Sequence, residues 1–186
     1  TKWLEDVYAK TGIPNAIVGH VDLRSSDARK IIERHLEFKH FKGIRDFSYG
    51  DYLINKDFRR GFKLQEEYGL ISSVAVRWDE MEKLADLAKS FPNIKIVLDH
   101  AGNPDFRTKE YFENWKNGMG KISKIENIIC KISGLGMGDH NWTIDSISPY
   151  VDTCMELFGI SRIIFATNWP VDSLYSSYKK VIDSYK

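Results

Sequence analysis

Cysteine, net charge and long apolar runs are all scarce in this sequence of 186 residues. Its two cysteines, Cys130 and Cys154, form no CxxC motif or Cys/His cluster, which argues against a zinc site and favours a reducing, cytoplasmic compartment. The formal charge of +1 argues against a nucleic-acid partner, because binding to phosphates requires a basic surface. No apolar run approaches the roughly 20 residues that span a bilayer, so no membrane partner is expected.

The composition instead favours a folded globular domain. Apolar residues make up 42% of the chain and charged residues 28%, whereas disordered chains are poorer in apolar residues and further from neutrality. Aromatic residues make up 13%, so a chain of this length can bury a sizeable core.

Six short β-rich runs recur along the chain, and each is followed by a helical pattern. Their centres lie 23 to 35 residues apart, which is the length of a βα unit. Between them, Ser148 and Pro149 are predicted to begin a helix that Gly159 ends. The helical pattern over residues 54–68 is weaker because Gly61 interrupts it. The β-rich runs are residues 16–23, 43–47, 70–76, 95–100, 129–135 and 162–166.

Strands joined by helices predict a parallel sheet, either open and doubly wound or closed as a (β/α)₈ barrel. The sequence has neither GxGxxG nor GxxxxGK[ST], which an open nucleotide-binding sheet would carry. Polar residues end several strands, as a barrel active site requires. A closed barrel takes eight strands and about 250 residues, so either two units are missing or the sheet is open. The strand-end residues are Asp22, Arg45, His100, Ser133 and Asn168.

Three strings carry a family resemblance: IVLDHAGNPDFR from Ile96, KISGLG from Lys131 and FATNWP from Phe165. With the upstream GHVDL and GIRDF, the chain resembles the amidohydrolase-2 family of TIM-barrel, metal-dependent-hydrolase-like proteins, which includes sugar-lactone and pyrone-dicarboxylate lactonases. The resemblance implies an α/β fold of the (β/α)₈ type, incomplete, with strands 3 to 8 present. It implies a single domain over residues 1–186, truncated at both ends, with the His-x-His pair of strand 1 outside this sequence.

The same resemblance implies that the parent protein is a hydrolase that opens a small cyclic ester, such as a sugar lactone, by attack of water. Two alternatives stay open. One is a metal-dependent decarboxylase of the same family. The other is a catalytically silent barrel fragment, because strand 1 is absent and Asn168 stands where a base is expected. The loops offer only generic polar and aromatic residues, so the identity of the substrate is not predicted.

His100 and Asn168 are the predicted catalytic residues. His100 ends a strand and is followed by Ala101 and Gly102, which leave space for an imidazole that binds a metal or stabilises a developing oxyanion. In the catalytic proteins that the chain resembles, an Asp at position 168 accepts the proton of the attacking water. An amide cannot do so. A base near Asn168 or Asp172 is therefore expected.

Arg45 is a predicted substrate-binding residue in the first half of the chain. Its guanidinium fork suits the paired oxygens of a substrate carboxylate, or a lactone carbonyl. An ion pair with Asp22 or Asp46 is an equal alternative.

Four further residues are predicted to bind substrate in the second half of the chain. Ser133 can donate a hydrogen bond, whereas Lys131, on the same face of its strand, is interpreted as a structural partner. His140 and Trp142 lie on the loop after that strand. Asp172 follows Asn168 by four residues and either replaces the missing base or caps the next helix.

Metal binding and self-association complete the expectations. A catalytic zinc takes three protein ligands and a water, and His100 is the one credible ligand here, so we predict no tightly bound metal for this chain alone. A bound divalent metal, Zn or Mn, is an expectation for the complete protein and not for this chain alone. Six strands leave two open sheet edges, so we predict self-association that covers the strand from Ala16 and the strand that ends at Ala166.

Overall fold

A computed structural model describes residues 1–48 and 50–186, which form six β-strands and seven α-helices in strict alternation. This alternation confirms the βα pattern of the sequence. The described residues form two compact units, Thr1–Val74 with Leu87–Ile96 and Ala75–Asp86 with Val97–Lys186. The elements are α1 (Lys2–Thr11), β1 (Ile17–His20), α2 (Ala28–Leu36), β2 (Phe41–Arg45), α3 (Lys56–Glu67), β3 (Ile71–Val74), α4 (Met81–Ser90), β4 (Ile96–Leu98), α5 (Lys109–Ile122), β5 (Ile128–Ile132), α6 (Ile144–Phe158), β6 (Ile163–Phe165) and α7 (Tyr178–Asp183).

The first unit is built on three parallel strands. β1 pairs with β2 and β2 pairs with β3, and the backbone N–H of Ser72 donates to the carbonyl of Lys95 at 2.9 Å. Beside them, the rings of Phe58 and Phe62 lie 5.6 Å apart, and those of Phe62 and Phe91 lie 5.2 Å apart. Phe58 and Phe62 are fully buried, so these rings belong to the apolar core of the unit.

Helix α3 contains the glycine that weakened its sequence pattern. A Cβ at Gly61 would lie 1.9 Å from the carbonyl oxygen of Leu23, so only a glycine lets α3 approach the loop after β1 this closely. The side chain of Asn55 caps the helix by accepting from the backbone N–H groups of Asp57 and Phe58. The interruption of the pattern is therefore a packing requirement and not a break in the helix.

The second unit contains the parallel pair β5 and β6, in which Lys131 lies opposite Ile164. Trp115 of α5 is fully buried, and its ring centre lies 5.0 Å from that of Tyr150 in α6. Its indole Nε1 donates to the carbonyl of Ala101 at 2.7 Å, which ties α5 to the turn after β4. Among the described residues, none of the helices combines the length and apolarity needed to cross a membrane.

Helix α6 begins earlier than the sequence predicts. It starts at Ile144, after Thr143, whose side chain accepts from the backbone N–H of Ser146 in a capping box. The prediction of a start at Ser148 and Pro149 was wrong, because this capping box adds a turn ahead of the proline. Gly159 ends the helix as predicted.

Strand β6 has an apolar, partly exposed surface. Ile164 and Phe165 are each 43% exposed. This exposure is compatible with the predicted self-association, which stays a prediction, as does the interpretation of the chain as one truncated domain.

Candidate active site

The turn that follows β4 holds His100 in an unusual backbone conformation. His100 has φ 54° and ψ 38°, and Ala101 has φ 50° and ψ 34°. For residues other than glycine this left-handed region costs about 1–2 kcal/mol each. Three contacts hold the turn: Trp115 bonds the carbonyl of Ala101, Tyr111 Oη donates to the carbonyl of Asn103 at 3.1 Å, and Asn103 Nδ2 donates to a backbone carbonyl at 3.3 Å. The direction of the imidazole is therefore set by the packing around it.

His100 is hydrogen-bonded to Ser133, the first residue after β5. His100 Nδ1 and Ser133 Oγ lie 2.9 Å apart, and both side chains are buried. A serine hydroxyl can donate to an imidazole nitrogen or accept from it, so it can hold either tautomer of the ring. Because Nδ1 is occupied, a reaction at this imidazole must use Nε2.

Gly134 and Asn168 complete the convergence. Gly134 has φ 63°, and a Cβ there would lie 2.9 Å from His100 Nδ1 and 3.1 Å from Asn168 Nδ2. Asn168 follows β6 and also has a left-handed φ, of 54°. The structure thus brings together three of the predicted residues, His100, Ser133 and Asn168, around Gly134, whose lack of a side chain lets them approach this closely.

Asp172 lies against Asn168. Asn168 Nδ2 donates to Asp172 Oδ1 at 2.8 Å and approaches Met137 Sδ at 3.4 Å. Asp172 is 4% exposed, and burial raises the pKa of its carboxyl group, although the hydrogen bond from Asn168 opposes that shift. Burial and the charge of Asp172 together raise the pKa of Tyr185 to about 12.

Two further contacts support the site, and of these the sequence indicated only the structural role of Lys131. Lys131 Nζ forms an ion pair with the fully buried carboxylate of Asp99, which precedes His100. Arg107 Nη2 donates to the carbonyl of Leu135 at 2.6 Å, and Arg107 Nη1 donates to the carbonyl of Pro104, so one guanidinium links the loops that follow β4 and β5. The alternation of β5 indicated the first, but bonds to backbone carbonyls leave no mark in a sequence.

The remaining residues predicted in the second unit lie on its loops. His140 is exposed and stacks on Tyr175, with ring centres 4.3 Å apart. Trp142 is buried, and Lys180 Nζ lies 4.0 Å from the centre of its ring and donates to its carbonyl at 2.8 Å. Their roles in substrate binding stay predictions.

Arg45 belongs to the first unit. Its guanidinium carbon lies 4.7 Å from the ring centre of Phe47. Asp46 accepts from the backbone N–H of Leu23 at 2.8 Å, and Asp22 accepts from Arg24 Nε at 3.3 Å. Both aspartates named as alternative partners of Arg45 have these hydrogen bonds, and the substrate contact and the ion pair of Arg45 both stay predictions.

Among the described residues, the donor set for a metal is incomplete. Over residues 1–48 and 50–186, no three His, Cys, Asp or Glu side chains cluster as a metal ion would require. His100 Nδ1 is bonded to Ser133, and Asp172 is bonded to Asn168. The described residues do not by themselves fit a catalytic zinc.

Fold and site together define an α/β protein whose polar side chains converge after the carboxyl ends of parallel strands, as in enzymes of the TIM-barrel class. The chain belongs to the amidohydrolase family, because the model of that family, Amidohydro_2, matches residues 3–186. The predicted family is thereby confirmed.

Relatives and solved structures agree with this assignment. The uncharacterized protein y4mH of Sinorhizobium fredii is 36% identical over 100% of this chain and 66% of its own length. The L-fucono-1,5-lactonase of Burkholderia ambifaria is 31% identical over 94% of this chain and 61% of its own. A crystal structure of an amidohydrolase from Burkholderia multivorans with bound zinc has a TM-score of 0.87 at 23% identity, covering 99% of this chain and 69% of that chain.

These comparisons confirm the fold class and show how much of each relative the chain covers. The chain has the fold of the amidohydrolase barrels, and it spans 61 to 66% of the length of the first two relatives. Which strands of the barrel it comprises stays a prediction.

Proposed function

We propose that the protein containing this chain is a hydrolase that opens a small cyclic ester, in the class of sugar lactones. The observation that carries the proposal is the convergence of His100, Ser133 and Asn168 around Gly134. A Cβ at Gly134 would lie 2.9 Å from His100 Nδ1 and 3.1 Å from Asn168 Nδ2. The lactonase relative from Burkholderia ambifaria supports the substrate class.

His100 is suited to stabilise the oxyanion. If Ser133 Oγ donates its hydrogen to Nδ1, the neutral imidazole carries its proton on Nε2 and donates it to a carbonyl oxygen as negative charge develops there. The bond to Ser133 and the left-handed turn hold the ring in one orientation, so little reorganisation is needed when the charge forms.

Asn168 is suited to orient the nucleophile. Its amide has no basic lone pair comparable to a carboxylate, but its oxygen accepts a hydrogen bond from water. Water attacks the carbonyl carbon and gives up a proton, the ring C–O bond breaks, and the ring oxygen takes up a proton to become a hydroxyl. The new carboxylic acid then ionises, so each turnover at neutral pH releases one proton.

Proton release gives the test. A panel of five- and six-membered sugar lactones is assayed with a pH indicator on the full protein in which the chain occurs. His100→Asn keeps a residue that tolerates left-handed φ and removes Nε2, so kcat should fall by about 10²–10³-fold, as when an oxyanion donor is lost. His35→Asn is the control, because His35 lies in helix α2 of the first unit and stacks on Phe41; its turnover should equal that of the wild type.

Two results would overturn the proposal. One is equal turnover by the wild type and His100→Asn. The other is no lactone turnover together with release of CO₂ from an aromatic carboxylate, which would favour the decarboxylase alternative.

We also propose a cytoplasmic location. The two cysteines are both buried and free, and contact between their thiols, together with burial, raises the pKa of Cys154. Neighbouring thiols that stay unbonded suit a reducing compartment. Alkylation of the denatured protein, isolated from cells without reductant, should find both thiols free, whereas a Cys130–Cys154 disulfide would contradict this location.

A further inference from the structure

Asp172 is a buried carboxylate to which the proposed hydrolysis gives no direct part. It lies in a single 3₁₀ turn, Val171–Leu174, and only 4% of its surface is exposed. Burying a carboxylate is costly unless hydrogen bonds or charges compensate for lost hydration. Across the described residues its carboxylate has one hydrogen bond, which comes from Asn168.

Little of Asp172 is accessible to a substrate, since only 4% of its surface is exposed. It lines a cavity of about 10 Å³ together with residues that include Trp142 and Tyr185. A cavity of this size holds one water molecule at most. Asp172 is therefore placed to act through Asn168 and not on the substrate itself.

The bond to Asp172 decides how the Asn168 amide is turned: Nδ2 faces Asp172 and Gly134, which leaves Oδ1 as the end that a ligand can use. An ionised carboxylate only accepts hydrogen bonds, so it must meet the NH₂ group and not the carbonyl. The second contact of Nδ2, with Met137 Sδ at 3.4 Å, is also to an acceptor. In the part of the chain that the structure describes, no donor bonds Asn168 Oδ1.

We infer that Asp172 is a positioning residue, which holds the Asn168 amide with its oxygen presented to the reacting groups. The inference rests on the proposed function for its chemical purpose, which is to orient a water or a substrate hydroxyl. The contact itself stands on geometry. Asp172 and Asn168 are four residues apart, and the backbone N–H of Asp172 also donates to the carbonyl of Asn168 at 3.3 Å.

Protonation of Asp172 would release this arrangement. A neutral carboxyl group can donate to Asn168 Oδ1, which lets the amide rotate and withdraws the acceptor. The titratable group that faces Asp172 from the segment after α7 is Tyr185, and the high pKa of that phenol keeps it neutral over the working range. Of the charged groups nearby, Lys180 packs on the ring of Trp142. Because the pKa of Asp172 is raised, the amide should be released at a pH above the range in which an aspartate usually titrates.

Nuclear magnetic resonance of the side-chain amide tests the contact without any substrate. The ¹H–¹⁵N signals of Asn168, identified by their loss in Asn168→Ala, should shift as the pH is lowered from 8 to 4. The shift should be absent in Asp172→Asn and unchanged in the exposed control Asp152→Asn. Signals of Asn168 that do not move in the wild type, or that move equally in Asp172→Asn, would overturn the inference.

Kinetic measurements test the effect of Asp172 on turnover. For the substrate that the wild type hydrolyses, Asp172→Asn should lower kcat about 100-fold, because its neutral amide can donate to Asn168 Oδ1 as protonated Asp172 would. The variant should also lack the acidic limb of the kcat profile that the wild type shows. An unaltered acidic limb in Asp172→Asn would overturn the inference even where the wild type is an active lactonase. If the wild type hydrolyses no lactone, the proposed function fails, and the amide signals still decide the positioning of Asn168.

Discussion

Polar residues follow the strands of both units, but the two units use them differently. In the first unit, Asp46 accepts from the backbone of Leu23 and from both the backbone and the hydroxyl of Ser48, so its carboxylate closes loops. In the second unit, His100 and Asn168 contact other side chains. Bonding to backbone groups in the first unit and convergence of side chains in the second separate a structural role from a chemical one.

Backbone conformation also distinguishes the second unit from the first. Of the residues described, the four non-glycine residues with positive φ all belong to the second unit: His100, Ala101, Asn103 and Asn168. Such conformations are costly and persist only where surrounding contacts enforce them. The buried indole of Trp115 supplies one such contact through its bond to Ala101. Strain that is held in place by packing is typical of a site that must aim its side chains.

The largest effect should come from the core of the first unit. Phe62→Ala should lower the free energy of unfolding by about 3–5 kcal/mol, because Phe62 is fully buried between other rings. If the first unit serves stability, turnover per folded molecule should not change. Denaturant unfolding and activity normalised to the folded fraction measure the two quantities. Phe38→Ala, at a partly exposed position, should cost less. A lower normalised turnover in Phe62→Ala would break the distinction between the units.

Gly134→Ala should affect both stability and chemistry. A positive φ costs alanine about 1–2 kcal/mol. The new Cβ would also crowd His100 Nδ1 at 2.9 Å, so turnover should fall about 100-fold through misplacement of the imidazole. Gly69→Ala is the matched control, because its φ of 61° is nearly the same and nothing lies within 4 Å of its Cβ position. Equal turnover in the two variants would show that Gly134 serves the backbone alone.

Asp46→Ala should lower the stability of the first unit. It leaves the N–H groups of Leu23 and Ser48 without their acceptor, which costs about 1–3 kcal/mol for a buried donor. Asp46→Asn keeps one oxygen and should lose less. Thermal unfolding measures both, and equal losses would mean that the charge of Asp46 matters more than its hydrogen bonds.

The smallest effect should be a pH-dependent change in stability at Asp172. Burial raises the pKa of Asp172 in the folded state, so the folded protein binds more protons than the unfolded chain between the two pKa values. Stability should therefore fall as the pH rises through the folded pKa. Asp172→Asn removes the buried charge, and its Tm should exceed that of the wild type at pH 7, with the difference shrinking towards low pH.

Asp183 provides a control of opposite sign. Its pKa is lowered, chiefly by the hydrogen bond from Lys179 and also by that from Lys186. The stability that this carboxylate contributes is present above its unfolded pKa and is lost as the pH falls through the folded value. Asp183→Asn should therefore lower Tm slightly at pH 7. The same direction of change in both variants would contradict the assignment of Asp172 as a buried, unfavourable charge.

Individual site residues were more predictable than their partners. His100, Ser133 and Asn168 stand at strand ends that hydrophobic periodicity locates, and the family motifs mark them. The bond between His100 and Ser133 joins residues 33 apart and depends on how β4 and β5 are placed, which no local pattern encodes. For Asp172 the sequence left a base or a helix cap as alternatives. The structure shows a bond to Asn168, which depends on the turn between them, and both alternatives stay predictions.

The sequence by itself determined the βα alternation, the family and the residue types at the strand ends, because periodicity and motifs are local properties of a chain. Tertiary structure alone decided that Gly61 admits a close helix, that Arg107 links two loops and that the Asn168 amide faces Asp172 with its nitrogen. Each of these depends on distances between segments remote in sequence or on a turn conformation that packing enforces. Such distances are set by the whole core and not by any one segment of it.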